Sequence, residues 1–314
     1  MSRSRDDYVP NNQPTPRLTE SHDSEPADPD NPDHDTRRGL PLAPDSVKID
    51  CLPKPLRADN GRAVSVKEAG EAYLRVQRSN WNDDTFTSKY ERHKFETYRR
   101  ILDADRQFQA KYDDLTAVML TRRLSPLDDN DNWLTPWECN EMLHGGGVHR
   151  SVWRALRYQL EGFDYEWLAV TAPTRSAGTP HEHIYLWIAD PYNDVTTDHI
   201  VPARDKHLKH CTNAHEKHHE YRADGTDGAI TVQHDPDLRK QSHANVAEQV
   251  IRGNTPPRSN TLGAQYLASQ LAHLPLADYY DGQRDNPPQA LFEGAALAWA
   301  SPYNWFRASG GVPS

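Results

Sequence analysis

TPHEHIYLWI, residues 179–188, places two histidines one residue apart at the head of an apolar run. Side chains on a strand alternate between faces, so His181, His183, Tyr185 and Trp187 share one side, while Ile184, Leu186 and Ile188 line the other. Two imidazoles on one face can share a cation. An HxH pair is also common as polar decoration or as core histidines, so its weight comes from the residues around it.

Outward from this strand the chain alternates between helical and extended patterns. YEWLAVTAP predicts a strand from Tyr165 to Thr171, and the turn-rich TRSAGTP that follows makes it the hairpin partner of the histidine strand. LTAVML, Leu115 to Leu120, reads as a buried central strand that ends on Thr121 and the basic pair Arg122 and Arg123. Helical spacing runs over Val64–Val76 and over a charged stretch from Ser88 to Tyr112. A further helical region begins at Pro136 and continues through Trp153, Leu156 and Leu160, with a turn forced at Gly145–Gly147. Then come a helix expected over Thr197–Ala214, a short strand over Ala229–Gln233 and a last helix over Pro287–Trp305. This order predicts an α+β fold, a central antiparallel sheet flanked by helices.

Within TLGAQYLASQL, Leu267, Leu271 and Leu274 form the apolar stripe of a helix. Tyr266 lies about 100° from Leu267 around the axis, on an edge shared with Gln270 and His273. The phenol therefore faces a more polar side and can meet a neighbouring site. Taken alone, Tyr266 also suits a packing role.

Asp and Glu total 46 against 36 Lys and Arg, for a net charge of −10, and the cations are 26 arginines with only ten lysines. Such a balance resembles proteins of a salt-rich cytoplasm, where a Debye length of roughly 3 Å removes both net repulsion from DNA and long-range attraction to it. Recognition must then rest on contact geometry and stacking. Residues 1–47, rich in Pro, Asp, Asn and Ser, predict a disordered acidic tail. Residues 48–280 form the expected main domain and 281–314 a C-terminal helical extension. No apolar run reaches membrane length and no secretory signal pattern is present, so the expectation is a cytoplasmic protein. Cys51, Cys139 and Cys211 are too few and too scattered for a disulfide framework or a CxxC site.

The strand AVMLTRRLS, then GTPHEHIYLWI, then LGAQYLASQL, in that order, resembles the replication initiators of the HUH endonuclease superfamily, with the haloarchaeal plasmid and virus branch nearest. The likeness covers roughly residues 60–275. It implies a ferredoxin/RRM-like core and rolling-circle initiation, in which one DNA strand is nicked at an origin, a tyrosine keeps the 5′ phosphate and a 3′ hydroxyl is released as primer. Carried onto this chain, His181 and His183 would be ligands of Mg²⁺ or Mn²⁺ and Tyr266 the nucleophile. Single-stranded or origin DNA, with a host polymerase and helicase, would be the partners. The family commonly draws a third ligand from an adjacent element, and the strand before the hairpin turn carries Ala172 instead. Glu166 and Gln270 are the alternatives for that role. Glu182 replaces the usual apolar residue between the histidines and is expected to point away from the metal. Ser269 stands where a lysine is frequent, and no second tyrosine follows at close helical spacing.

Arg122 and Arg123 could touch phosphate or end a strand in solvent. Tyr185, Trp187 and Trp167 could stack on unpaired bases or pack in the core. The concentration His207, His210, His215, His218 and His219 with Cys211 shows no complete zinc spacing and reads as a solvated helix and loop. A transposase or relaxase would share all the site residues. A noncatalytic DNA-binding regulator would keep the fold without needing the tyrosine. A cupin-like enzyme wants a glutamate a few residues after its HxH, where Trp187 and Ile188 stand, and a two-histidine phosphoesterase wants a second HxT or HxS motif.

Overall fold

In the computed structural model, residues 39–81, 84–174, 179–219, 228–234, 236, 261, 263, 264, 266–268 and 289–313 are described. Five strands form one sheet: β1 (Leu115–Arg122), β2 (Tyr165–Pro173), β3 (Pro180–Ala189), β4 (Ile230–His234) and β5 (Phe306–Ala308). Their order is β4-β1-β3-β2-β5 and every pairing is antiparallel. Among the described residues the α-helices with full ranges are α1 (Val66–Trp81), α2 (Asp84–Lys111), α3 (Pro136–His144), α4 (Val148–Gln159), α5 (Val201–His210) and α6 (Gln289–Ala300). The architecture is thus α+β with helices on both faces of an antiparallel sheet.

β3 is the central strand, and Pro180 through Ile188 are all buried. Two-sided burial explains why the run shows no solvent-facing polarity pattern: helices cover both faces. On one face Tyr185 and Trp187 join Ala117, Leu168 and Val170 beneath Tyr98, Ile101 and Phe108 of α2 and the helical residues Ala264, Leu267 and Ala268. On the other, Ile184, Leu186 and Ile188 join Val118 and Leu120 beneath Val152, Trp153 and Leu156 of α4 and Ala203 of α5.

The expected elements lie close to the observed ones, with three differences. The helix read over Thr197–Ala214 is confined to Val201–His210, entered through a 3₁₀ turn at Thr197–His199 and ended at Cys211. The C-terminal segment contributes more than a helix. Ala295, Ala296 and Leu297 of α6 are buried against Leu42, Leu52 and α1, and β5 adds an edge strand to the sheet. Near the N-terminus, Leu42 and Ala43 lie inside the segment read as tail yet are buried, and the Leu42 amide donates to the Val64 carbonyl at 2.8 Å.

The helix bearing Tyr266 is tied to β3 through α2. Asp105, fully buried, accepts from Trp187 Nε1 at 2.7 Å and from Thr261 Oγ1 at 2.9 Å. Thr261 in turn accepts from the Ala264 amide at 3.3 Å, an N-cap for this helix, and bonds the Tyr185 hydroxyl at 2.6 Å. Gly263 lies flat against the Tyr185 ring, and a β-carbon there would fall inside van der Waals contact with it. The Tyr185 ring is packed in the interior and cannot move aside cheaply. Gly263→Ala should therefore lower stability by about 1–3 kcal/mol in a urea melt. A wild-type midpoint in this variant would show that the helix does not pack on Tyr185 in solution.

Candidate functional site

The pleat of β3 sends His181 and His183 to the same face as Tyr185 and Trp187, as the alternation predicts. His181 Nε2 and His183 Nε2 lie 2.9 Å apart with the rings nearly perpendicular. Both are buried. Opposite His183 on β1 stands Thr121, whose Oγ1 is 2.9 Å from His183 Nδ1. The Tyr266 ring meets the His183 ring edge to face, with centroids 5.2 Å apart. Tyr266 and the two histidines thus share one side of the sheet, although they are remote in sequence.

Burial, then the charge of Arg123, lowers the His181 pKa to about 3, against a small opposing effect from the Ala172 backbone. Burial also holds His183 well below its ordinary value, helped by His181 and Arg123. Both imidazoles are neutral at physiological pH, the state a metal requires. With Nδ1–H of His183 donating to Thr121, its Nε2 lone pair accepts from Nε2–H of His181, so the two nitrogens meet at one point and a shift of the His181 proton to Nδ1 would present both lone pairs there. These residues fit part of a divalent-cation site. Among the described residues, no group of three His, Cys, Asp or Glu side chains is gathered that could complete one.

Glu166 does not join them. It pairs with Trp187, four residues along β3 from His183 and roughly 13 Å away, and its Oε2 accepts from the Gly311 amide at 3.3 Å. Gln270, the other ligand expectation, lies outside the described residues.

Three of the DNA-contact expectations are corrected. Arg122 is fully buried on the opposite face, where its Nε donates to Glu182 Oε2 at 2.7 Å and its Nη1 to the Leu143 carbonyl at 3.2 Å. It has no path to phosphate. Tyr185 and Trp187 are buried beneath α2 and the Tyr266 helix, and their polar atoms are engaged by Thr261 and Asp105. Neither can stack on a base. Burial, with Asp105 nearby, also raises the Tyr185 pKa well above the usual phenol value, so its hydroxyl is unsuited to attack. Trp167, partly buried, packs on Trp153 with centroids 3.9 Å apart.

Arg123 remains at the site, and its charge acts on both histidines. Two buried histidines hold its main chain. His207 Nε2 lies 2.7 Å from the Arg123 carbonyl, and His219 Nε2 accepts from the Arg123 amide at 3.2 Å. His219 Nδ1, 2.9 Å from the His215 carbonyl, then carries the proton. The histidine concentration is therefore partly structural rather than wholly solvated, with His210 exposed and His207 and His219 inside.

Behind the histidines, Glu182 is completely buried between two guanidiniums, Arg122 from β1 and Arg307 from β5. Arg307 Nη1 also lies 3.1 Å from His149 Nδ1, and His144 Nδ1 is 3.8 Å from Glu182 Oε1. Burial lowers both arginine pKa values to about 10, so both stay charged at neutral pH. Burial, then Arg122 and Arg307, takes His144 down to about 2, and burial with Arg307 takes His149 to about 3. Glu182 thus points away from the histidine face, as read from alternation. Its partners were not legible, because Arg307 lies far along the chain.

Chemically, the arrangement offers two converging neutral imidazoles, a cation and a tyrosine on one face of a central strand. Residues 62–314 match the family described as "Putative rep protein (DUF1424)", and the chain belongs to it. An "Uncharacterized 36 kDa protein" of Halobacterium salinarum is 29% identical over 281 residues, covering 82% of this chain and 79% of that protein. A second protein with that name, from Halobacterium sp. (strain GN101), is 26% identical over 167 residues, covering 52% of this chain and 44% of its own length. No solved structure matches. Among the described residues no helix is long and apolar enough to cross a membrane.

Removing Glu182 alone leaves two guanidiniums facing each other without a counterion. Glu182→Ala should cost about 3–5 kcal/mol of unfolding free energy, and a chemical-denaturation midpoint within error of wild type would show that the network is not closed in solution. A pH effect follows from the buried histidines. Above pH 6.5, the ordinary histidine value, His144 is neutral whether folded or unfolded. Below it the unfolded chain takes up a proton that the folded chain refuses until pH reaches about 2, so stability falls across that interval. Melting temperatures measured from pH 7 to pH 4 should decline less steeply in His144→Asn than in wild type, and parallel curves would contradict the assignment.

Proposed function

We propose that this chain is a replication initiator that nicks and rejoins one strand of DNA through a 5′-phosphotyrosine on Tyr266. The observation that carries the reading is the meeting of Tyr266 with His183 on the face where His181 and His183 converge. The family description supports replication initiation over transposition or conjugative transfer, which would use the same chemistry.

His181 and His183 would hold the divalent ion, Mg²⁺ or Mn²⁺. When bound, such an ion neutralises charge on a nonbridging phosphate oxygen as the transition state forms. Thr121 fixes the His183 ring by its hydrogen bond, and the charge of Arg123 acts on the same ring. The Tyr266 oxygen attacks phosphorus, forming the tyrosyl–phosphate bond as the bond to the 3′ oxygen breaks. The phenol loses its proton and the departing oxygen gains one. Because the phosphotyrosyl ester keeps the energy of the broken bond, a later 3′ hydroxyl can reverse the step and rejoin the strand.

The test is a labelled single-stranded oligonucleotide carrying the origin strand, incubated with the protein and Mn²⁺ and then run under denaturing conditions. A covalent adduct should form with wild type and be absent from Tyr266→Phe. His183→Ala should also remove it. Thr121→Val should raise the Mn²⁺ concentration needed by about 10–100-fold. An adduct that persists in Tyr266→Phe would eliminate this tyrosine as the nucleophile.

A further inference from the structure

α4 and α5 lie side by side over the sheet face that points away from Tyr266. Their apolar residues, Val152, Trp153 and Leu156 from α4 and Ala203 from α5, turn inward. Outward, α4 exposes Arg150, Arg154 and Arg157, and α5 exposes Lys206 and Lys209. Tyr158, 72% exposed, stands beside the arginines. No acidic residue occurs in α4, and the one in α5, Asp205, is engaged by the neighbouring Arg204 at 3.0 Å. Among the described residues none of the five cations makes an ion pair. In a chain of net charge −10, this outer layer runs against the overall sign.

An acidic protein that leaves cations unpaired on one ridge forgoes available neutralisation there, which points to a polyanionic occupant. The spacing fits nucleic acid. Arg150, Arg154 and Arg157 follow i, i+4, i+7 and form one stripe about 10 Å long, close to three base-pair steps of about 3.4 Å each along a strand. Guanidiniums can bond phosphate oxygens in pairs, and the Tyr158 hydroxyl can donate to a further oxygen. Such direct contacts persist where salt has removed long-range attraction.

We infer that the outer face of α4 and α5 grips the phosphate backbone of duplex DNA, while the opposite face of the sheet takes the single strand to be cut. The choice of DNA as the polyanion rests on the replication reading above. The sheet then separates duplex holding from strand cleavage, so the two can be lost independently.

The experiment compares wild type with the combined variant Arg150→Ala, Arg154→Ala, Arg157→Ala, all exposed positions. Binding of a fluorescent duplex is titrated across ionic strength, and adduct formation is measured on a short single-stranded oligonucleotide. The variant should bind duplex more weakly regardless of sequence. Its slope of log Kobs against log salt should be shallower by about 3, or about 0.9 per contact removed, with an unchanged rate of adduct formation. Unaltered duplex affinity and slope would overturn the inference. So would equal loss of adduct formation in a folded variant, or competition by polyglutamate as effective as by duplex, which would assign the face to an acidic protein. If wild type forms no adduct while duplex binding still tracks the three arginines, the nicking mechanism falls and this surface stands.

Discussion

A carboxylate buried between two guanidiniums orients the site. Glu182 sits between the paired histidines in sequence and behind them in space, held by Arg122 of β1 and Arg307 of β5. Strand side chains alternate, so shifting β3 by one residue would turn Glu182 toward the histidine face. It would also leave both arginines buried without a counterion. The penalty for that error lies on the face opposite the histidines. Burial of ions adds little net stability compared with apolar packing of similar size, but it discriminates strongly between registers. Thr121 opposite His183 and Ala172 opposite His181 follow from the same alignment.

The same strand also sets where the tyrosine stands. His183 touches the Tyr266 ring, Tyr185 bonds Thr261 and presses on Gly263, and Trp187 bonds Asp105, which itself holds Thr261. Three successive same-face residues of β3 are therefore connected to one short stretch of helix. The distance between imidazole and phenol depends on few intervening torsions, and Tyr185, Trp187, Asp105 and Thr261 are all buried. Such rigidity favours chemistry, since small displacements of a reacting atom cost much of its rate.

The sequence made these features legible to different degrees, for physical reasons. Alternation in TPHEHIYLWI announced a strand with both imidazoles on one side, and the stripe of Leu267 with its neighbours put Tyr266 on a helix edge. Both signals are local periodicities. What Tyr185 and Trp187 do was not readable, because an aromatic on the polar-tipped face of a strand looks the same whether it meets a base or a buried Asp105. Arg122 misled for a related reason. A cation at a strand end suggests solvent, and only the distant Glu182 and Arg307 make its burial tolerable. Glu166, a ligand alternative as a residue of the partner strand, pairs with Trp187 and so shares the histidine face. Face is set by parity and position along the strand by register, and only the second keeps Glu166 far from the histidines.

Charge in this molecule is allotted by burial. Arg122 and Arg307 are inside and neutralise one carboxylate, and the excess positive charge adds to burial in keeping the nearby His144 and His149 unprotonated. Arg123 occupies the boundary, its main chain held by His207 and His219, and its charge does the same to His181 and His183. Burial is the larger cause in both rings, and with it the Arg123 charge leaves the imidazoles neutral. At the boundary of the histidine site the Arg123 charge adds to burial in keeping both imidazoles unprotonated, and strong salt screens little of an effect exerted over such short range.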